Sequence, residues 1–444
     1  MKEKKYLEFL RYCLDDTLPV PESSSKINWM KMMDWAEEQS IIGVIYGGIQ
    51  KAGTALNIPF DDLMEWVDYA QDIENHNKLM NKKCVEVVKE YKEAGFDCMV
   101  LKGQGNATMY PHPLLRMPGD IDLLVLGHTD LTDSTDRETN TFASQGHTLK
   151  ERTPHSQREN LTNDTNRKTN TNCTNDTNRL IASREKKEKS DSKLIREVIR
   201  YVRTKNPEGK AQYHHIDLGE IDGVEVEVHY KASYVYNPFA NRRLQKWFKS
   251  YSDTADLIEL PKGVGRIPVP TWEFNVVFQL CHIYNHLIHE GIGIRQMVDY
   301  YYLLKANKEL EEVRGSYRSA QEVKRQYHET LRKLGLMEIA GAVMWVLGYL
   351  VRGEQFMGQG CRKEEWMICE PDERRGRFLL DEIMEGGNFG MGLKSNHGWL
   401  SANTAIGRNI LRLKRDARLL RYFPSECLWE PVFRLWHFGW RLAH

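Results

Sequence analysis

The chain contains no closely spaced cysteine pair and no excess of either charge. Its eight cysteines, Cys13, Cys84, Cys98, Cys173, Cys281, Cys361, Cys369 and Cys427, are scattered through 444 residues with no C-x-x-C spacing. That excludes a zinc knuckle of this spacing and fits reduced thiols better than a disulfide frame, so a cytoplasmic protein is expected. Lys plus Arg and Asp plus Glu both number 62. The molecule as a whole therefore offers no field to draw in nucleic acid or an anionic membrane, and any such attraction has to come from a local patch. The longest apolar stretch, Ile339 to Val351, is shorter than the ~20 residues that cross a bilayer and reads as a buried helix, so no membrane span is expected. Met1 to Asp16 is charged and lacks the apolar core of a signal peptide, so nothing there directs export.

A chain of this length exceeds a usual single core, and two or three domains are expected. From Asn28 to about Glu93, apolar residues recur at helical spacing (Trp29, Met32, Met33, Ala36, then Ile41, Ile42, Val44, Ile45), with Gly47, Gly48 and Gly53 as breaks. After Gly95 the runs shorten to strand length, Cys98 to Leu101 and Ile121 to Leu126. Residues Thr129 to Asn178 hold few apolar side chains among many Thr and Asn, and Asn163-Asp164-Thr165-Asn166-Arg167 recurs as Asn175-Asp176-Thr177-Asn178-Arg179. Such a segment cannot form a core, so a disordered low-complexity insertion is expected over 129–190, with a flexible lid or partner tether as the functional alternative. Lys193 to Arg203 has helical spacing, and His214 to Tyr230 alternates as two strands joined through Ile221-Asp222-Gly223. From Thr271 onward helical periodicity dominates. The division is a helical region over 1–94, a sheet-bearing core over 95–265 with its insertion, and a helical domain over 266–444.

The stretch richest in chemistry runs Val100-Leu101-Lys102-Gly103-Gln104-Gly105, then Arg116-Met117-Pro118-Gly119-Asp120-Ile121-Asp122-Leu123. Residues two apart on a strand share a face, so Asp120 and Asp122 stand about 6–7 Å apart at Cα, while Ile121 and Leu123 turn into the core. Two like charges so placed repel unless a cation lies between them. Val224-Glu225-Val226-Glu227-Val228-His229 puts Glu225, Glu227 and His229 on one face, and an adjacent strand would bring Glu227, or else Glu225, beside the Asp pair. Three carboxylates can hold Mg²⁺ (or Mn²⁺) against a triphosphate. Lys102, Gly103 and Gln104 read as a phosphate cradle, and Arg116 as a bidentate contact to phosphate or a holder of a carboxylate. The alternative is that Gly-Asp-Ile-Asp is only a capped turn entering a strand.

At these residues the sequence resembles the polymerase-beta-like nucleotidyltransferase superfamily. More narrowly it resembles an uncharacterised bacterial nucleotidyltransferase family with Leu101-Lys102-Gly103, Tyr110-Pro111, Arg116 and Gly119 to Asp122. The likeness extends to His214-His215-Ile216-Asp217, Glu227-Val228-His229, Cys281 to His286, Gly291 to Gln296 and Asp299-Tyr300-Tyr301. It implies an α+β fold: a small mixed β-sheet core with flanking helices, here between a helical N-terminal region and a helical C-terminal domain. It also implies catalytic Asp120, Asp122 and Glu227 with Mg²⁺ bound to them, and a nucleoside triphosphate such as ATP as substrate. The reaction expected is transfer of NMP to a hydroxyl on an acceptor, either a small molecule or sugar, or a tRNA or protein. The other reading is a degenerate fold that binds a nucleotide or a partner chain.

Lesser signals lie in the C-terminal part. His282 and His286 are four apart on one helix face and, with His229 and Arg295, are candidates for the acceptor side. Arg295 and Asp299 share the same spacing and read first as a helix-surface ion pair. The basic helix 408–421 reads as a solvated face, with nucleic acid or a lipid head group as the sharper reading. Trp429, Phe433, Trp436 and Trp440 form an aromatic stripe expected to pack into the core, with membrane contact as the alternative.

Overall fold

The computed structural model describes residues 4–128, 191–251, 254–289, 291–314, 320–357, 364–387 and 417–443. The insertion 129–190 and most of the basic stretch 408–421 lie outside the described residues. Four helices come first: α1 (Lys4–Leu14), α2 (Trp29–Glu38), α3 (Ile42–Ala52) and the long α4 (Phe60–Glu93). The Asn28 side chain caps α2 by accepting from the Lys31 N–H. Gly47 and Gly48, expected as breaks, lie inside α3. A Cβ on Gly48 would sit 2.2 Å from Cys13 Sγ, so this glycine lets α1 and α3 approach closely rather than ending a helix.

The core follows as β1 (Phe96–Leu101), the one-turn α5 (Gly103–Ala107), β2 (Ile121–His128), helix α6 over 191–205, β3 (His215–Ile221) and β4 (Val224–His229). The strands form one mixed sheet in the order β1-β2-β4-β3. β1 runs antiparallel to β2, β2 parallel to β4, and β4 antiparallel to β3. The β3–β4 connection is a two-residue hairpin in which Asp222 and Gly223 both take positive φ, 51° and 85°, as a primed turn requires.

Helix α7 (Pro238–Ser250) and a small antiparallel pair, β5 (Ala255–Glu259) and β6 (Arg266–Pro270), lead into the C-terminal helices. These are α8 (Trp272–His289), α9 (Ile294–Arg314), α10 (Ala320–Leu334), α11 (Met337–Arg352), α12 (Glu373–Gly386) and α13 (Pro424–Ala443). The apolar run Ile339 to Val351 is buried in α11. Among the described residues no helix is long and apolar enough to cross a membrane.

The sheet separates two apolar clusters. On one face Val100, Ile121, Leu123, Val125, Val226 and Val228 pack with Cys84, Val87 and Val88 of α4 and Val198 and Val202 of α6. On the other face Met99, Leu101 and Leu124 join a large cluster shared by the N-terminal helices and α8, α9 and α11. Strand alternation sends Asp122, Glu227 and His229 to this second face. There Asp122 and His229 are buried, while Glu227 keeps about a third of its side chain exposed.

Helix α13 splits its stripe. Phe433 stacks on Tyr234 at 5.1 Å between ring centroids, while Leu428, Leu435, Trp436 and Phe438 remain exposed. Only part of the stripe is therefore core, which departs from the expected packing. Of the basic stretch, Arg418 pairs with Glu382 and Glu385 of α12.

Candidate active site

Strand register assembles the site. Asp122 lies directly opposite Glu227 across the parallel β2–β4 pair, and Asp217 lies opposite Glu227 across β4–β3. Glu225 is exposed and faces Glu220, so Glu227 is the glutamate beside the aspartates. Ligand atoms of Asp122, Glu227 and His229 all fall within 4.8 Å of one another. Asp120 immediately precedes β2 and is partly exposed at that strand's start.

A cation already stands between the two aspartates. Lys102 Nζ is 2.9 Å from Asp122 Oδ2 and 3.6 Å from Asp120 Oδ1. The backbone is bent to deliver it: Lys102 takes φ 38° and ψ −135°, and Gly103 follows with φ 45°. A non-glycine residue there carries strain of order 1–3 kcal/mol, a feature that clusters at functional sites. Burial opposes the Lys102 charge, but Asp120, Asp122 and Glu227 outweigh it and raise its pKa. For Asp122, 1% exposed, burial likewise works against ionisation, and Lys102 and His229 overcome it and hold the pKa below the usual carboxylate range.

His229 Nε2 is 2.8 Å from Asp122 Oδ1 and 3.4 Å from Glu227 Oε2. Burial disfavours its protonated form, yet hydrogen bonds to the two carboxylates push its pKa up to about 9. His229 is thus held between two site carboxylates. Burial first, and then nearby positive charge led by Lys102, push the pKa of His282 in α8 well below the usual histidine range. His282 Nε2 is 3.1 Å from His286 Nε2.

Of the residues expected at the nucleotide, Gln104 and Arg116 make contacts within the protein. Gln104 is buried, and its Nε2 donates to Asn81 Oδ1 and Asn77 Oδ1 of α4, so its side chain anchors the turn from behind. Arg116, 1% exposed, holds a carboxylate, that of Asp299 in α9, which is the second of its two expected roles. Its Nε donates to Asp299 Oδ1 at 2.7 Å and its Nη2 to Oδ2 at 2.8 Å, and Tyr110 Oη adds a 2.6 Å bond to Oδ1. This also corrects the expected surface pair: Asp299 is buried and committed to Arg116. Arg295 instead donates from Nη1 to Pro118 O at 3.2 Å, and a Cβ on Gly119 would lie 3.2 Å from its Nη2. Gly119 leaves room for that guanidinium next to Asp120.

Sequence reasoning assigned no role to His214, His215 or Asp217. His215 stands opposite His229 in the β3–β4 ladder, with Nε2 3.2 Å from Asp217 Oδ1. Pairing β3 with β4 through the Asp222-Gly223 turn would have placed them there.

Fold and site together define an α+β chain whose small mixed sheet carries acidic residues on neighbouring strands. The family model described as uncharacterised nucleotidyltransferase matches residues 25–326, more than half of the chain, and the chain belongs to that family. Membership supports nucleotidyl transfer in general, with a nucleotide as substrate. Comparison with curated proteins and with solved structures returned no match.

Proposed function

We propose that the protein is a Mg²⁺-dependent (or Mn²⁺-dependent) nucleotidyltransferase that moves NMP from a nucleoside triphosphate to a hydroxyl-bearing acceptor in the cytoplasm. The observation that carries this reading is the in-register placement of Asp122 against Glu227, with Lys102 Nζ bridging Asp122 and Asp120. Carboxylates already holding an ammonium between them suit a divalent cation, and oxygen donors favour Mg²⁺. Asp120, Asp122 and Glu227 are the proposed ligands, and a bound ion would polarise the α-phosphate and offset the charge of the departing pyrophosphate.

The chain's own residues do the rest. Lys102 supplies a fixed positive charge where the triphosphate arrives, and the Gly103 turn brings backbone close to it. His229 holds Asp122 in one orientation through its Nε2–H. Arg116 and Tyr110 tie the loop before Asp120 to α9 through Asp299, which keeps Asp120 in place. His282, His286 and Arg295 border the acceptor side.

Incubation with each labelled nucleoside triphosphate, Mg²⁺ and a cell extract tests the proposal. Label is expected in an acceptor, with pyrophosphate released, and neither in Asp120→Asn. Equal turnover by Asp120→Asn would overturn it.

A further inference from the structure

Next to the acidic face lies a second cluster with a different donor chemistry. His214, His215 and His229 each bring one ring nitrogen within 4.8 Å of the others. His214 Nε2 is 3.1 Å from His215 Nδ1, and the His229 ring lies 5.2 Å from both neighbours, centroid to centroid. The arrangement is built by the sheet, since His215 and His229 are direct partners in the β3–β4 ladder and His214 immediately precedes β3.

The outer nitrogens of two of these rings are already spoken for. His229 Nε2 sits on Asp122 Oδ1 at 2.8 Å, and His215 Nε2 on Asp217 Oδ1 at 3.2 Å. A carboxylate on Nε2 fixes the N–H there, which leaves Nδ1 of each ring as the nitrogen that can take an ion once its proton is released, as metal binding requires. Among the described residues, His229 Nδ1 is buried without a hydrogen-bond partner. A histidine with one nitrogen on a carboxylate and the other free is the arrangement that metal-bound histidines carry.

We propose that His214, His215 and His229 form an imidazole site for a borderline divalent transition ion of the Zn²⁺ type, adjoining the oxygen site of Asp120, Asp122 and Glu227. Imidazole favours such ions over Mg²⁺. Two nitrogens bound at ~2.1 Å to one tetrahedral ion stand about 3.4 Å apart, and the His214–His215 spacing of 3.1 Å meets that within a few tenths of an ångström. Glu227 Oε2, 3.6 Å from His215 Nδ1, stands close enough to supply a fourth ligand. An ion here would fix the His229 ring and, through its Nε2–H, the orientation of Asp122.

The inference does not rest on the catalytic reading, and its test reads binding rather than turnover. The full chain, stripped of metal with a chelator, is titrated with Co²⁺ and followed by visible absorption. One equivalent is expected to bind with the strong visible bands of four- or five-coordinate Co²⁺, to be displaced by Zn²⁺, and to resist millimolar Mg²⁺. His214→Ala and His215→Ala should each weaken binding at least ~10-fold. Asp120→Asn should keep the bands while losing any nucleotide turnover, so the two readings fail separately. Circular dichroism establishes that each variant is folded, and His215→Gln replaces His215→Ala if that one is not. Absence of Co²⁺ bands in the wild-type protein, displacement by Mg²⁺, or unchanged affinity in the folded histidine variants would overturn the proposal.

Discussion

Arg116 and Asp299, 183 positions apart in the chain, meet in a buried two-pronged ion pair at 2.7 and 2.8 Å. Removing one partner strands the other charge away from water, which costs about 3–5 kcal/mol, whereas removing both is far milder. Arg116→Ala is therefore expected to lower the denaturation midpoint sharply, and Arg116→Met combined with Asp299→Leu to recover much of the loss. Chemical denaturation of the set checks this, and a single variant as stable as wild type would contradict it.

The strained turn at Lys102 yields a comparison between two substitutions that lose the same charge. Glycine adopts φ 38° without penalty and alanine does not. Lys102→Gly is expected to be more stable than Lys102→Ala by about 1 kcal/mol, despite glycine's greater freedom in the unfolded chain. Thermal melts of the two variants decide it. Both should lose nucleotide turnover with the ammonium.

A pH dependence comes from α13. Glu426 is 2% exposed, and burial raises its pKa to about 7, although it accepts the N–H groups of Tyr236 and Asn237. The folded protein then keeps a proton that the unfolded chain releases, so stability is highest below about pH 4.5 for this group and falls as pH rises to about 7. The loss is ~3 kcal/mol as an order of magnitude, and it stays constant above that range. Glu426→Gln should flatten this part of the stability profile, measured by urea denaturation at pH 5 and pH 8. An unchanged slope would remove Glu426 as its source.

Asp120 is only partly buried, with 27% of its side chain exposed. Asp120→Asn is expected to change stability by no more than ~0.5 kcal/mol. It should lower nucleotidyl transfer by about 10²–10³-fold, the range seen when one group that stabilises transition-state charge is removed. Parallel melting and rate measurements separate the two effects.

What could be read from the chain follows its local periodicities. The Asp-x-Asp strand and the Glu227 strand declare themselves because alternation is a two-residue rule, and the structure places Asp122 and Glu227 side by side. The buried helix at Ile339 to Val351 was legible for the same kind of reason. That Arg116 could hold a carboxylate was legible, but its partner Asp299 and the α4 asparagines that Gln104 meets were not, because only tertiary packing brings those distant segments near. Gly48 looked like a break because a glycine that admits Cys13 and one that ends a helix are the same letter.

The most direct measurement is calorimetric titration of a non-hydrolysable nucleoside triphosphate analogue with Mg²⁺ and with a chelator, in wild type and in Asp122→Asn and Glu227→Gln. The wild-type protein is expected to bind the analogue at least ~10-fold more tightly with Mg²⁺, and both variants to lose that gain while remaining folded. Affinity indifferent to Mg²⁺ in the wild type, or an undiminished Mg²⁺ effect in both variants, would contradict a divalent-ion site built from these carboxylates.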